Sequence, residues 1–97
     1  MKIEKITKDG IVTIQIDGRL DTTTAPDLEE VIGNLEGVTD LVFDLKNLEY
    51  ISSAGLRIIL KAQKIMNTQG SMKLIGVSDS VMDVFDITGF SDILTIE

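Results

Sequence analysis

The sequence predicts a small α/β domain with about three main helices and a mixed, mostly parallel sheet of four to five strands. The predicted order is β-β-α-β-α-β-α-β. Two observations lead to this fold class: a hairpin pattern opens the chain, and strand and helix patterns alternate after it. Such alternation favours parallel strands joined by right-handed helical crossovers. The 97 residues fit one domain, residues 1–97, with one hydrophobic core.

The hairpin is predicted from a turn signal between two apolar runs. Residues 3–6 form a weak strand candidate, and Asp9-Gly10 is typical of a tight hairpin turn. Residues 11–17 then alternate between apolar and polar side chains, which is the pattern of a half-buried strand. We therefore expect the first two strands to pair antiparallel.

The first helix is predicted from its start signals and one apolar stripe. Thr24 with Asp27 resembles a capping box, and Pro26 falls in the first turn, where its missing N–H is tolerated. Apolar residues follow at i, i+3, i+4 and i+7: Leu28, Val31, Ile32 and Leu35. Gly37 is placed to end this helix.

The second half of the chain repeats the alternation of strand and helix. Its predicted elements are a buried strand over 41–45, a helix to about residue 68, a strand over 72–77, a helix capped by Ser78 or Ser80 and ended by Gly89, and a last short edge strand over 93–96.

The stretch from Leu48 to Leu60 carries the candidate site. An apolar approach leads to Ser52 and Ser53, and a strongly apolar helical run follows. Serines at a helix start can cap the helix or hold a phosphate, and the spacing alone leaves both open. Ala54 and Gly55 either leave the backbone open to an approaching group or, at Gly55, permit close packing.

Arg57 lies four residues after Ser53, so the two are neighbours on one helix face. It either pairs with a phosphate on Ser53 or is a solvated arginine.

Composition argues against several functional classes. The chain has no cysteine and no histidine, and no spacing among its 16 carboxylates suggests an acid–base pair. We therefore expect no enzyme, no catalytic residue, no cofactor and no metal site. The net charge of −7 disfavours nucleic acid and anionic membranes as partners. Without an apolar h-region or a spanning run, we expect a cytoplasmic protein with no membrane insertion.

Three blocks of the sequence resemble one known family. Residues 50–56, preceded by 42–45, look like the signature of the STAS domain family, and more narrowly of bacterial anti-sigma factor antagonists. Residues 18–21 resemble the family's Gly-x-Leu-Asp loop, and residues 84–90 resemble its late helix. The resemblance covers essentially the full chain. It implies a small sheet with helices packed mainly on one side.

The resemblance also implies a phosphoacceptor serine at the start of the second helix. Aligned on Gly55-Leu56, that position is Ser53, with Ser52 as the alternative acceptor. The sequence departs from the usual pattern in three ways: Ser52 replaces an Asp, Ala54 replaces a Ser or Thr, and Arg57 replaces a small residue. The implied acceptor loop and partner surface comprise Asp21, Ser52, Ala54, Gly55 and Arg57. Asp21 is either part of this surface, near the start of the second helix, or a plain turn residue.

The function implied by the resemblance is that of an anti-sigma factor antagonist, monomeric when free. Its dephosphorylated form would bind an ATP-dependent anti-sigma factor that is also a serine kinase, and so release a sigma factor. Phosphorylation would end the interaction, and a PP2C-like phosphatase would restore it. The alternative is a non-phosphorylated STAS scaffold subunit in a larger regulatory or transporter complex.

Overall fold

The computed structural model describes residues 1–97, which form five strands, three α-helices and a short 3-10 turn. In chain order the elements are β1 (Lys2–Lys8), β2 (Ile11–Leu20), α1 (Ala25–Ile32), β3 (Asp40–Asp44), β4 (Leu48–Ile51), α2 (Ser53–Gln69), β5 (Ser71–Ile75), α3 (Asp79–Thr88) and the 3-10 turn (Phe90–Asp92).

The sheet is mixed and mostly parallel, as predicted. β1 pairs antiparallel with β2, and the turn between them has positive φ at both Asp9 (52°) and Gly10 (81°), which suits a tight hairpin. The strand order is β1-β2-β3-β5, and β2, β3 and β5 are parallel neighbours. β4 pairs in parallel with the carboxyl end of β2, from Gly18 to Leu20.

One face of the sheet carries the core. Val12, Ile14 and Ile16 of β2 are fully buried, whereas the alternate residues Thr13 and Gln15 are only half-buried. The helices add their own apolar stripes, so that 23 buried apolar residues form one cluster. This one-sided burial agrees with helices packed mainly on one side of the sheet. No helix has the length and apolarity needed to cross a membrane.

The predicted start and end of α1 are partly wrong. The helix ends at Ile32 with Gly33 as its C-cap, not at Gly37, because Gly33-Asn34 are poor helix formers. Leu35 still reaches the core from the following loop. Thr24 is the N-cap residue, but its hydroxyl donates to the Arg19 carbonyl (2.8 Å) instead of capping the helix, so the capping box does not form.

Two short segments refine the predicted order without changing its pattern. Leu48–Ile51, expected only as an apolar approach, is the strand β4. The predicted last strand over 93–96 is a single bridge between Ile96 and Leu74, because the N–H groups of Ile93 and Leu94 donate back to the Phe90 carbonyl and not to a neighbouring strand. The predicted cap Ser78 and the end of α3 at Gly89 (φ 79°) are confirmed.

Candidate functional site

The site lies where the parallel strands β2 and β4 end. The Ser52 N–H donates to the Leu20 carbonyl at 2.9 Å, so the loop that begins with Asp21 lies beside the start of α2. Both loops follow the carboxyl ends of neighbouring strands, which is where α/β sheets commonly place binding residues. The structure therefore brings Asp21, Ser52 and Ser53 to one edge of the sheet.

Ser52 caps α2. Its backbone is extended (φ −97°, ψ 175°), and its Oγ accepts a hydrogen bond from the Gly55 N–H at 3.4 Å. This is the usual conformation and contact of an N-cap serine. The side chain is half-buried and already holds one of the free N–H groups of the first turn.

Ser53 is the first residue of α2 and, unlike Ser52, does not cap the helix. Its side chain is exposed, and its hydroxyl makes no hydrogen bond within the protein. No acidic residue lies in the first turn of α2. A negative charge added at Ser53 would therefore meet the positive end of the helix dipole and no carboxylate of the same turn.

Gly55 serves packing. A Cβ atom at this position would lie 2.6 Å from Leu20 Cγ and 3.0 Å from Ile51 Cγ1, well inside contact distance. Gly55 is buried, so the prediction that it leaves the backbone open to an approaching group is wrong, and the packing interpretation is correct. The glycine lets α2 start directly against β2 and β4, which holds the two serines at the sheet edge.

Arg57 is exposed one turn after Ser53 and has no ion-pair partner. The three ion pairs of the protein join Lys2 to Glu4, Lys61 to Glu29 and Lys73 to Glu97. Arg57 lines a groove of about 340 Å³ between α1 and α2, together with Ala54. The cation and the free hydroxyl of Ser53 therefore share one face of α2.

Asp21 is a turn residue that holds the start of α1. Its Oδ1 accepts hydrogen bonds from the Thr23 hydroxyl (2.7 Å), the Thr23 N–H (3.0 Å) and the Thr24 N–H (3.2 Å). The hydrogen bond from the Thr23 hydroxyl, supported by those from the two backbone N–H groups, lowers the pKa of Asp21 below its usual value. One oxygen of its carboxylate, Oδ1, is thus engaged within its own loop, and any contact of Asp21 with a partner stays a prediction.

An Arg–Tyr pair beside the site was not anticipated from the sequence. The Arg19 guanidinium lies over the Tyr50 ring, 4.3 Å from its centroid, because the two residues are paired across β2 and β4. Both side chains are exposed. Both residues belong to blocks singled out in the sequence, but their contact depends on the β2–β4 pairing, which the apolar pattern of Leu48–Ile51 did not predict.

Comparison with known proteins decides the family. The family model described as the STAS domain matches residues 2–97. The chain belongs to the STAS domain family. This match confirms the family predicted from the sequence blocks and leaves only Met1 outside.

Similar proteins support the functional class of this STAS domain. The anti-sigma-B factor antagonist of Staphylococcus epidermidis is 34% identical, with 99% of this chain and 92% of the relative covered. Relatives of that name confirm the predicted class, anti-sigma factor antagonist.

Solved structures show the same fold. An anti-sigma factor antagonist from Mycobacterium paratuberculosis has a TM-score of 0.86 at 23% identity, covering 98% of this STAS domain and 83% of that chain. The Bacillus cell fate determinant SpoIIAA in its phosphorylated form has a TM-score of 0.77 at 18% identity, covering 99% and 91%. At these identities the likeness concerns the fold alone.

Proposed function

We propose that this STAS domain is an anti-sigma factor antagonist switched by phosphorylation of Ser53. In the dephosphorylated form it binds an ATP-dependent anti-sigma factor that is also a serine kinase, and a sigma factor is released. Phosphorylation of Ser53 by that kinase ends the interaction. A PP2C-like phosphatase removes the phosphate and restores binding.

The observation that supports this proposal most strongly is that Ser52 caps α2 whereas Ser53 does not. Ser52 provides the cap through its contact with the Gly55 N–H, so the Ser53 hydroxyl is exposed and unused. A phosphate on Ser53 therefore removes no hydrogen bond that the fold needs, and it gains the helix dipole. Ser52 is half-buried and its Oγ is already engaged by the Gly55 N–H, so it is less accessible to a kinase than Ser53 and is the poorer acceptor.

The size of the effects locates the switch at the interface with the partner. A phosphate at a helix N-terminus contributes about 0.3–1 kcal/mol, which cannot rearrange a domain with a stability of about 5–15 kcal/mol. A charge of about −1.5 to −2 buried against a partner that supplies no counterion for it costs several kcal/mol. The phosphate thus acts by opposing docking and leaves the STAS fold intact.

Phosphorylation with the purified kinase tests the proposal. An anti-sigma factor of the serine-kinase class from the same genome is incubated with ATP and the wild type, Ser52→Ala or Ser53→Ala. We expect one phosphate on the wild type and on Ser52→Ala, and none on Ser53→Ala, as measured by intact-mass and peptide mass spectrometry. Ser53→Ala should still bind the kinase.

The opposite results are equally informative. If the wild type binds but takes no phosphate, the phosphorylation switch is wrong and the non-phosphorylated scaffold subunit is favoured. A phosphate on Ser53→Ala but not on Ser52→Ala would move the acceptor to Ser52.

A further inference from the structure

The groove between α1 and α2 begins one residue after Ser53. Ala25 and Pro26 of α1 face Ala54 and Ile58 of α2 across it, so its lining includes small and apolar side chains. Its volume of about 340 Å³ is large enough for one or two side chains of a protein partner and too small for a folded element. The groove is therefore a candidate binding site for a side chain of a protein partner, beside the proposed phosphorylation site.

The lining of this groove differs in charge from the rest of the molecule. It carries two cations, Arg57 and Lys61, against one carboxylate, Glu29, whereas the whole chain has 9 cations against 16 carboxylates. Lys61 Nζ and Glu29 Oε2 lie 3.4 Å apart, so these two charges offset each other. Arg57 remains as an exposed guanidinium without a counterion.

We propose that the groove accepts a segment of the anti-sigma factor whose Asp or Glu side chain pairs with Arg57. This inference rests on the proposed function. A guanidinium matches a carboxylate with two parallel hydrogen bonds, which fixes the register of docking as well as adding affinity. On a surface that is acidic elsewhere, Arg57 gives a partner's carboxylate an unpaired cation beside Ser53.

Phosphorylation then acts on Arg57 as well as on the partner. Ser53 and Arg57 lie four residues apart on one helix face, within reach of a phosphate–guanidinium pair. The phosphate on Ser53 takes the guanidinium from the partner's carboxylate and also places a second negative charge beside that carboxylate. The switch is thus a competition between two anions for one arginine.

Binding measurements with matched variants test the pairing. The affinity of the unphosphorylated wild type for the purified anti-sigma factor is compared by calorimetry with Arg57→Ala, Arg57→Lys and Lys64→Ala. Lys64 is an exposed cation of the same helix outside the groove, so Lys64→Ala is the control. We expect Arg57→Ala to lose about thirtyfold or more in affinity, Arg57→Lys to lose less, and Lys64→Ala to bind like the wild type.

A partner-free measurement tests the competition. With phosphoserine placed at position 53, phosphorus NMR should give a lower second pKa of the phosphate in the Arg57 protein than in Arg57→Ala. Equal phosphate pKa values in the two proteins would overturn the competition.

The outcomes separate this inference from the proposed function. Equal affinity of the wild type and Arg57→Ala for the anti-sigma factor overturns the pairing and leaves the proposed function standing. No binding by the unphosphorylated wild type overturns both. All variants change exposed side chains, and circular dichroism should confirm that each one folds.

Discussion

The helices α2 and α3 both begin with a serine N-cap whose hydroxyl accepts a backbone hydrogen bond. Ser52 Oγ accepts a hydrogen bond from the Gly55 N–H at 3.4 Å, and Ser78 Oγ accepts one from the Val81 N–H at 3.3 Å. Each helix is therefore capped by the serine immediately before its first residue. Each cap is followed by a second serine, Ser53 in α2 and Ser80 in α3. The cap contacts alone do not separate the two as anion sites.

Their surroundings differ in charge and in hydrogen bonding. The Ser80 hydroxyl lies 3.3 Å from that of Ser78, and Asp79 already lies in the first turn of α3. No lysine or arginine occurs anywhere in residues 74–97. In α2 the second serine is free, the first turn has no acid, and Arg57 follows. A capped helix start thus becomes a site for an added phosphate only where a hydroxyl is spare and the neighbouring charges favour an anion.

The largest expected effect is on partner binding. Ser53→Asp should weaken the affinity for the anti-sigma factor by up to about a thousandfold, or about 4 kcal/mol. The reason is that binding would bury the added carboxylate at the interface, where the partner supplies no counterion for it. Ser80→Asp adds the same charge to the other helix start and should leave the affinity unchanged. Isothermal calorimetry at one salt concentration measures both.

Circular dichroism spectra identical to the wild type control for folding in both variants. Equal affinity of wild type and Ser53→Asp would count heavily against the switch. A loss of similar size in Ser80→Asp would show that net charge, and not position, governs docking.

The next effect is on stability and tests how closely α2 packs against β2 and β4 at Gly55. Gly55→Ala should destabilise the protein by about 1–3 kcal/mol through overpacking, because its Cβ would meet Leu20 Cγ, part of a fully buried side chain. The better helix propensity of alanine offsets at most about 1 kcal/mol of this. Urea unfolding gives the difference in free energy.

Gly33→Ala is the matched control for that measurement. Gly33 has a helical φ of −63°, and the nearest atom to an added Cβ is the Glu30 carbonyl oxygen at 3.2 Å. This contact is tight, but it is looser than the 2.6 Å contact at Gly55, so Gly33→Ala should change the free energy of unfolding less than Gly55→Ala does. A Gly55→Ala protein as stable as the wild type would mean that α2 has room to move away from β2 and β4.

Much of this fold could be predicted because its signals are local. The alternation in β2, the Asp9-Gly10 turn and the caps at Ser52 and Ser78 depend on residues close in sequence. The predictions that were wrong concern features that depend on contacts between distant parts of the chain or on where a helix ends. β4 has only four residues and is a strand because it pairs with β2, which is distant in sequence. α1 ends at Ile32 although its apolar stripe continues to Leu35.

The candidate site shows the same limit. The two serines and Arg57 could be selected from their spacing, but the choice of Ser52 as the cap depends on a backbone angle and a hydrogen bond. The packing role of Gly55 and the Arg19–Tyr50 pair both require knowing that β2 and β4 are neighbours. That contact joins segments about thirty residues apart, which no local pattern encodes.

The smallest effect is the most direct test of the charge difference, because it needs no partner. Without the anti-sigma factor, Ser53→Asp should stabilise the protein by about 0.3–1 kcal/mol, or about 1–8 °C in Tm, through the helix dipole. Ser80→Asp should give no gain, because Asp83 lies three residues further along α3 and like charges at this spacing cost about 0.2–0.5 kcal/mol. In 1 M salt, where the Debye length is about 3 Å, the difference between the two variants should largely disappear. A stability gain for Ser53→Asp together with a loss of binding would separate the two roles of the added charge, since one substitution would then favour the fold and oppose docking. Equal gains in both variants, persisting in high salt, would show that the two helix starts do not differ electrostatically.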